Sequence, residues 1–288
     1  DFTLKFIITL QVQFKLCGGR MRGILQAGVA IQSSGLLVML LSLLKLDLEH
    51  IFMAVIFQIV GAFILGVIAG RYAYRLPDNL VRIFSYVGIS MPSFGWAIIL
   101  QLVFGWWLRI FPIQGMISSG IQPPPRITGM TTLDSLITGR IDAFLNVLWH
   151  MVLPALALCL GAMAQDARII RAGMVENKEK DYIAMAESHG LPEKLIMFKY
   201  LLKPSIIPAI TVMGMDAAAT LGNAFMVEIV YNWPGFSKYG INAMLNKDLN
   251  AIVAMVLVIG VIFAIANILI DIIVAYVDPR IRLLERGE

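Results

Sequence analysis

A few polar residues lie inside long apolar runs, where charge is costly and a functional role is the default. Asp216 sits near the middle of the run 204–227 and Asn223 follows two helical turns later, so both can face a water-filled pathway. A hydrogen bond tying one helix to its neighbour is the competing role. Glu228 stands at the boundary of the same run, within reach of solute or partner, or holding structure. Asp271 lies about two turns from the end of the run 251–277, where a structural or interfacial role fits better. His150 is a core histidine or a lone metal contact, and one histidine does not make a metal site. None of these acids is paired as nucleophile and base, and Asp216 and Asp271, on separate runs, make only a weak case for an intramembrane protease. There is no Gly-rich loop ending in Lys-Ser or Lys-Thr, so the usual way of binding ATP is absent. No catalytic residue and no metal ligand is assigned.

Those residues need helices to carry them across a membrane. Of 288 residues, 59% are hydrophobic and 15% charged, with mean hydropathy +0.80, against about 25% charged for a soluble domain. A disulfide scaffold, a disordered chain and a nucleic-acid-binding domain are excluded. The net charge of +4 does not form a basic patch; the basic residues fall between the apolar runs. Crossing a hydrocarbon core takes roughly 20 apolar residues. Five runs qualify: 51–70, 83–108, 143–165, 204–227 and 251–277. The expected fold is an all-α, polytopic membrane helical bundle of five or six transmembrane helices. Its transmembrane domain is placed at 51–283, after an extracytoplasmic or interfacial segment 1–50 in which 23–44 is a further possible span. The two cysteines, Cys17 and Cys159, fall in different environments and give no disulfide.

Lys and Arg set the orientation. Thirteen lie in 71–82, 166–203 and the tail, against five in the alternate gaps, which places the first set and the C-terminus in the cytoplasm. The segment 166–203 is the least apolar part of this domain. Its pattern predicts a helix from Met174 to His189, stopped by Gly190 as a cap with Pro192 just beyond. A second helix starts near Glu193 and runs into the next span past Pro204 and Pro208. Such a short amphipathic helix suits docking into a partner's groove; a plain solvated loop is the alternative.

The stretch Asp181-Tyr182-Ile183-Ala184-Met185-Ala186-Glu187-Ser188-His189-Gly190, with Pro208 after a basic helix, resembles the EAA cytoplasmic loop of binding-protein-dependent ATP-binding-cassette importer permeases. The dipeptide, oligopeptide and nickel branch is the most similar. Further matches lie in order: Met91-Pro92-Ser93-Phe94, Phe111-Pro112-Ile113-Gln114-Gly115, Leu153-Pro154-Ala155, Val227-Glu228-Ile229-Val230-Tyr231, Pro234-Gly235 and Asp278-Pro279-Arg280. Together they cover about residues 10 to 283. The general loop pattern has proline thirteen residues after the glycine; Lys203 stands there, as is similar in the peptide branch.

The start departs from the family. Val12-Gln13-Phe14 with Gly18 to Gly23 looks like a degraded copy of an extracytoplasmic segment, so the first family helix is expected to be missing. Leu36 to Leu44 is then an external amphipathic helix and the chain has five spans. Taking Gly23 to Leu44 as a span gives six, which the charge rule prefers because Lys5, Lys15, Arg20 and Arg22 then lie inside.

The resemblance implies a prokaryotic inner-membrane protein forming half of a translocation pathway for peptides or a related small solute such as nickel. It implies a second permease subunit, two ATPase subunits and an extracytoplasmic solute-binding protein as partners, in contact with membrane lipid. ATP and Mg²⁺ belong to the partner ATPase, and no cofactor is bound by this chain. Asp181, Tyr182, Ala184, Ala186, Glu187, His189 and Gly190 are implied in ATPase coupling. A stand-alone secondary transporter or channel is the alternative, although no paired broken helices with coupling-ion acids are evident.

Overall fold

The computed structural model describes residues 36–277, which form helices joined by turns and loops and contain no strand. The N-terminal matches around Val12 and Gly18 to Gly23 and the terminal Asp278-Pro279-Arg280 lie outside the described residues. In order the elements are α1 (Leu36–Arg71), α2 (Leu76–Ser90), α3 (Ser93–Leu100) continued by a π-helical stretch Gln101–Trp107, α4 (Thr131–Ile137) and α5 (Ile141–Lys178). They are followed by α6 (Asp181–Ser188), α7 (Glu193–Leu195) with a π-helical stretch Ile196–Leu202, α8 (Lys203–Val230), α9 (Phe236–Leu245) and α10 (Leu249–Val277). Among the described residues four helical segments are long and apolar enough to cross a membrane: Leu48–Arg71, Ile141–Lys178, Glu193–Ala217 and Leu249–Ile270. They become five if the bent pair Leu76–Ser90 and Ser93–Trp107 is one span.

Three expectations change. The run 83–108 is not one straight span: the two halves meet at 111°. Pro92 excludes helical backbone at the residue before it, and Met91 is extended at φ −105°, ψ 134°. Next, Leu36 to Leu44 does not form a separate helix, because α1 runs unbroken for 36 residues, about 54 Å at 1.5 Å per residue. The described part of the chain therefore has no turn between Leu44 and Ile51. Finally, the helix expected from Met174 to His189 is two. Helix α5 carries on past Gln165 to Lys178, and the chain turns at Lys180, which is extended, before α6. The turn lets Ile183 and Ala186 pack on Ile196; a straight extension would leave them in water.

Helix α5 is the central post, buried along most of its length and packed against α1, α2, α3 and α8. Lipid offers no hydrophobic drive for helix pairing, so small residues that permit close packing matter most. On α1, a Cβ at Gly66 would lie 2.7 Å from Ile170 Cβ and 3.0 Å from the Ala167 carbonyl. Ala54, Ala62 and Ala69 are buried on the same helix. At the start of α8, Pro204 lacks an N–H and its ring displaces the preceding ladder. The turn ahead of it is π-helical.

Candidate functional site

Helix α6 is short, yet it is anchored at three points. Its inner face, Ile183 and Ala186, is buried with Ile196 and flanked by Leu191, Tyr200 and Leu201. Its end is closed by two backbone bonds, Gly190 N–H to the Glu187 carbonyl at 2.9 Å and Leu191 N–H to the Ala186 carbonyl at 3.2 Å. This is the reciprocal pattern that needs a left-handed residue at the penultimate place, and Gly190 has φ +70°. From its first turn, Tyr182 Oη donates to Asn177 Oδ1 at 3.0 Å; Asn177 Nδ2 donates to Ser205 Oγ at 2.9 Å, and Ser205 Oγ to the Leu201 carbonyl at 2.6 Å. One hydrogen-bonded line thus joins α6 to the end of α5 and the beginning of α8. Gly173 sits against Ser205 in the same place, where a Cβ would meet Ser205 Cβ at 2.9 Å.

The outer face of α6 is free. Asp181, Tyr182, Ala184, Met185, Glu187, Ser188 and His189 are exposed, as is Gly190, and Met185 is 63% accessible. Ala186 differs from expectation: at 6% exposure it seats the helix and offers nothing to a partner. Sequence inspection passed over Met185, whose signal was a large apolar side chain on the charged side of a short helix.

Away from α6 a cavity of about 440 Å³ opens between α3, α5 and α8. Asp216 and Asn223 both line it, with Thr220 between them, Gln165 opposite, and Pro92 and Ser93 at the break between α2 and α3. Glu228 lies elsewhere. It is 3% exposed, and its Oε2 accepts from the Ser237 N–H at 3.2 Å and from Ser237 Oγ, while His50 Nε2 stands 3.4 Å from Oε1. Trp233 packs edge-on to His50 at 5.5 Å. These contacts tie α1 to the α8–α9 turn and set Glu228 apart from the cavity lined by Asp216. His150 Nδ1 donates to the Asn146 carbonyl at 2.8 Å, one turn back on its own helix. The side chain of Asp271 lies outside the described residues.

Two polar contacts lie before Met174, in the part of 166–203 for which no helix was expected. Asp166 is fully buried inside α5, and Gln58 Nε2 donates to its Oδ2 at 2.8 Å. Arg171 makes a two-pronged pair with buried Asp78, Nε to Oδ1 at 2.8 Å and Nη2 to Oδ2 at 2.7 Å. A charged residue just past an apolar run marks the run's end by composition, but not the end of the packed helix.

At the end opposite α6 the peptide 111–115 meets the close of α8. Gly115 N–H donates to the Tyr231 carbonyl at 2.9 Å, Gln101 Nε2 to the Ile113 carbonyl at 2.8 Å, and Tyr231 Oη to the Ala97 carbonyl at 3.1 Å. The loop that follows is organised by Asp134. Burial alone would raise its carboxyl, but the Thr128 hydroxyl and the backbone N–H groups of Thr128, Ile127 and Gly129 outweigh that and hold it below the usual carboxylate range.

Residues 62–283 match the family of binding-protein-dependent transport system inner membrane components. The chain belongs to this family. The permease is 33% identical over 234 residues to the probable D,D-dipeptide transport system permease protein DdpB of Escherichia coli K12, covering 81% of this chain and 69% of that protein. It is also 33% identical over 231 residues to the dipeptide transport system permease protein DppB of Alkalihalophilus pseudofirmus, covering 79% and 69%. The di/tripeptide transport system permease protein DppB of Pseudomonas aeruginosa is 31% identical over 242 residues, covering 84% and 72%. The permease is therefore a multi-pass inner-membrane protein of an importer. The family match begins at Ala62 and takes in the α2–α3 break, α6 and the cavity.

Proposed function

We propose that this permease forms half of the translocation pathway for dipeptides or similarly short peptides, driven by ATP hydrolysis in a separate subunit docked on α6. The observation that carries this is α6 itself: an exposed helix whose other face packs on the π-helical stretch leading into α8 and whose first turn is bonded through Asn177 to Ser205, at the end of α5 and the start of α8. A push on such a helix must move the spans it is tied to, as rigid bodies of the hinge or shear kind. The names of the peptide-transport relatives support the solute class, and the excess of Lys and Arg supports a cytoplasmic α6 and C-terminus. A second permease subunit completes the pathway, a pair of ATPase subunits holds ATP and Mg²⁺, and an extracytoplasmic binding protein delivers the peptide.

Within the cavity, Asp216 offers a carboxylate for a peptide's ammonium group. Asn223, Thr220 and Gln165 offer donors and acceptors for its backbone. Reconstitution of the complete importer in liposomes tests the proposal. Uptake of a labelled dipeptide that requires ATP and binding protein, and that vanishes with the permease alone, is the expected result. ATP-independent uptake by the permease alone would overturn it in favour of a secondary transporter.

A further inference from the structure

A second cavity, of about 240 Å³, lies between α2 and α5 at the α6 end of the bundle. Tyr74, Arg82, Ser85, Tyr86, Arg168 and Arg171 line it. Its charges do not balance. Asp78 is the acid within reach, and its oxygens are already taken by Arg171 and by the Tyr74 N–H at 2.7 Å. Arg82 and Arg168 form no ion pair among the described residues. Ser85 is 1% exposed, and its Oγ has no hydrogen-bond partner. A buried hydroxyl in that state is costly unless something supplies an acceptor. Two guanidinium groups outside any ion pair, the Arg82 one still within electrostatic reach of Asp78, and an idle hydroxyl around one small space make an oxyanion site.

We propose that this cavity binds the phosphate of an anionic phospholipid. Depth supports the lipid source. Gly66 packs on Ile170 and Gly70 on Met174, while the apolar span of α1 ends at Arg71. Arg171 and Arg168 therefore sit roughly one and two turns inside that end, about 5 to 10 Å, the depth from which long basic side chains reach up to headgroups. The neighbouring surface agrees. Leu80, Ile83 and Val87 form an exposed apolar stripe at helical spacing beside Arg82 and Tyr86 on α2, as acyl chains attached to the bound phosphate require. Exposed Tyr74 and Tyr86 match the aromatic belt of a membrane interface. A free phosphate would use the arginines and leave the stripe without purpose. The site is separate from the transport role, since occupancy is read without any uptake.

The test is native mass spectrometry of the complete importer titrated with phosphatidylglycerol or phosphatidylcholine. Wild type is expected to keep a phosphatidylglycerol adduct that phosphatidylcholine does not replace. Arg82→Gln with Arg168→Gln should weaken it roughly thirtyfold, Ser85→Ala should weaken it to a smaller degree, and Arg75→Gln, outside the cavity, should not. If the paired variant does not assemble, the wild-type preference for phosphatidylglycerol and its resistance to inorganic phosphate carry the test. Equal retention of both lipids, or an unchanged adduct in the paired variant, overturns the proposal. Displacement of phosphatidylglycerol by inorganic phosphate at comparable concentration overturns the lipid source and leaves a soluble anion in its place.

Discussion

Replacing Gly190 separates two reasons for a glycine at the end of α6. At φ +70° an L side chain is strained, yet a Cβ there would meet nothing within 4 Å. The cost of Gly190→Ala is therefore conformational only, about 1–2 kcal/mol, larger for β-branched Val and small for Asn, which tolerates the left-handed region. The strain is relieved by opening the two bonds that close the helix, Gly190 to Glu187 and Leu191 to Ala186. One to two kcal/mol corresponds to a roughly 5- to 30-fold fall in the ratio of seated to open α6. ATPase retained on the purified permease, and ATP hydrolysis stimulated by binding protein in proteoliposomes, should both fall in the order Gly, Asn, Ala, Val. Gly120→Ala, at φ +104° with open space around it at the opposite end, should leave ATPase retention unchanged. Full retention in Gly190→Ala would refute the seating argument. Failure of Asn as severe as that of Val would mean that the partner requires bare backbone there.

Gly66→Ala forces a Cβ to 2.7 Å from Ile170 Cβ, so it should cost about 1–3 kcal/mol and lower the detergent melting temperature, whereas Gly222→Ala, with open space, should not. Asn177→Ala removes the link between Tyr182 and Ser205; ATPase binding should persist while stimulated transport drops severalfold, and equal loss of both would contradict the relay. Asp134→Asn should destabilise the loop 127–134 by about 1–3 kcal/mol, read as faster hydrogen exchange there. Because the Asp134 carboxyl is held below its ordinary value of 3.8, its contribution is fully present above that pH and is lost as pH falls through the lower folded value. The protection of the same loop against exchange, taken relative to the unstructured rate at each pH, should fall only below about 3.8, and a loss of protection centred at neutral pH would contradict the assignment. Asp216→Asn should reduce peptide uptake at least tenfold with ATPase association intact.

Apolar run length points to an all-α membrane bundle because about 20 residues are needed whatever the fold. Helix α6 was legible for a different reason: Gly190 and Pro192 are backbone signals that act locally. The 111° bend at Met91–Pro92 was within reach too, since proline restricts its predecessor, but the uninterrupted hydrophobicity from 83 to 108 masked it. Asp166 and Arg171 fell outside the expected helices because hydropathy registers a charge and not its partner. Gln58 and Asp78, which make those charges tolerable inside a helix, lie 108 and 93 positions away in the chain. Asp216 and Asn223 share a cavity because seven residues is two turns, whereas the turn after Tyr231 folds Ser237 back over Glu228, and no periodicity foretells that.

The central claim is that the exposed face of α6 receives the ATPase, and site-specific photo-crosslinking in the intact importer tests it most directly. A crosslinker placed at Ala184 or Met185 should capture the ATPase subunit, with yield changing between ATP-bound and nucleotide-free states, while one at Lys238, at the opposite end, should capture none. No ATPase adduct from either α6 position, or adducts from Lys238 instead, would contradict the account.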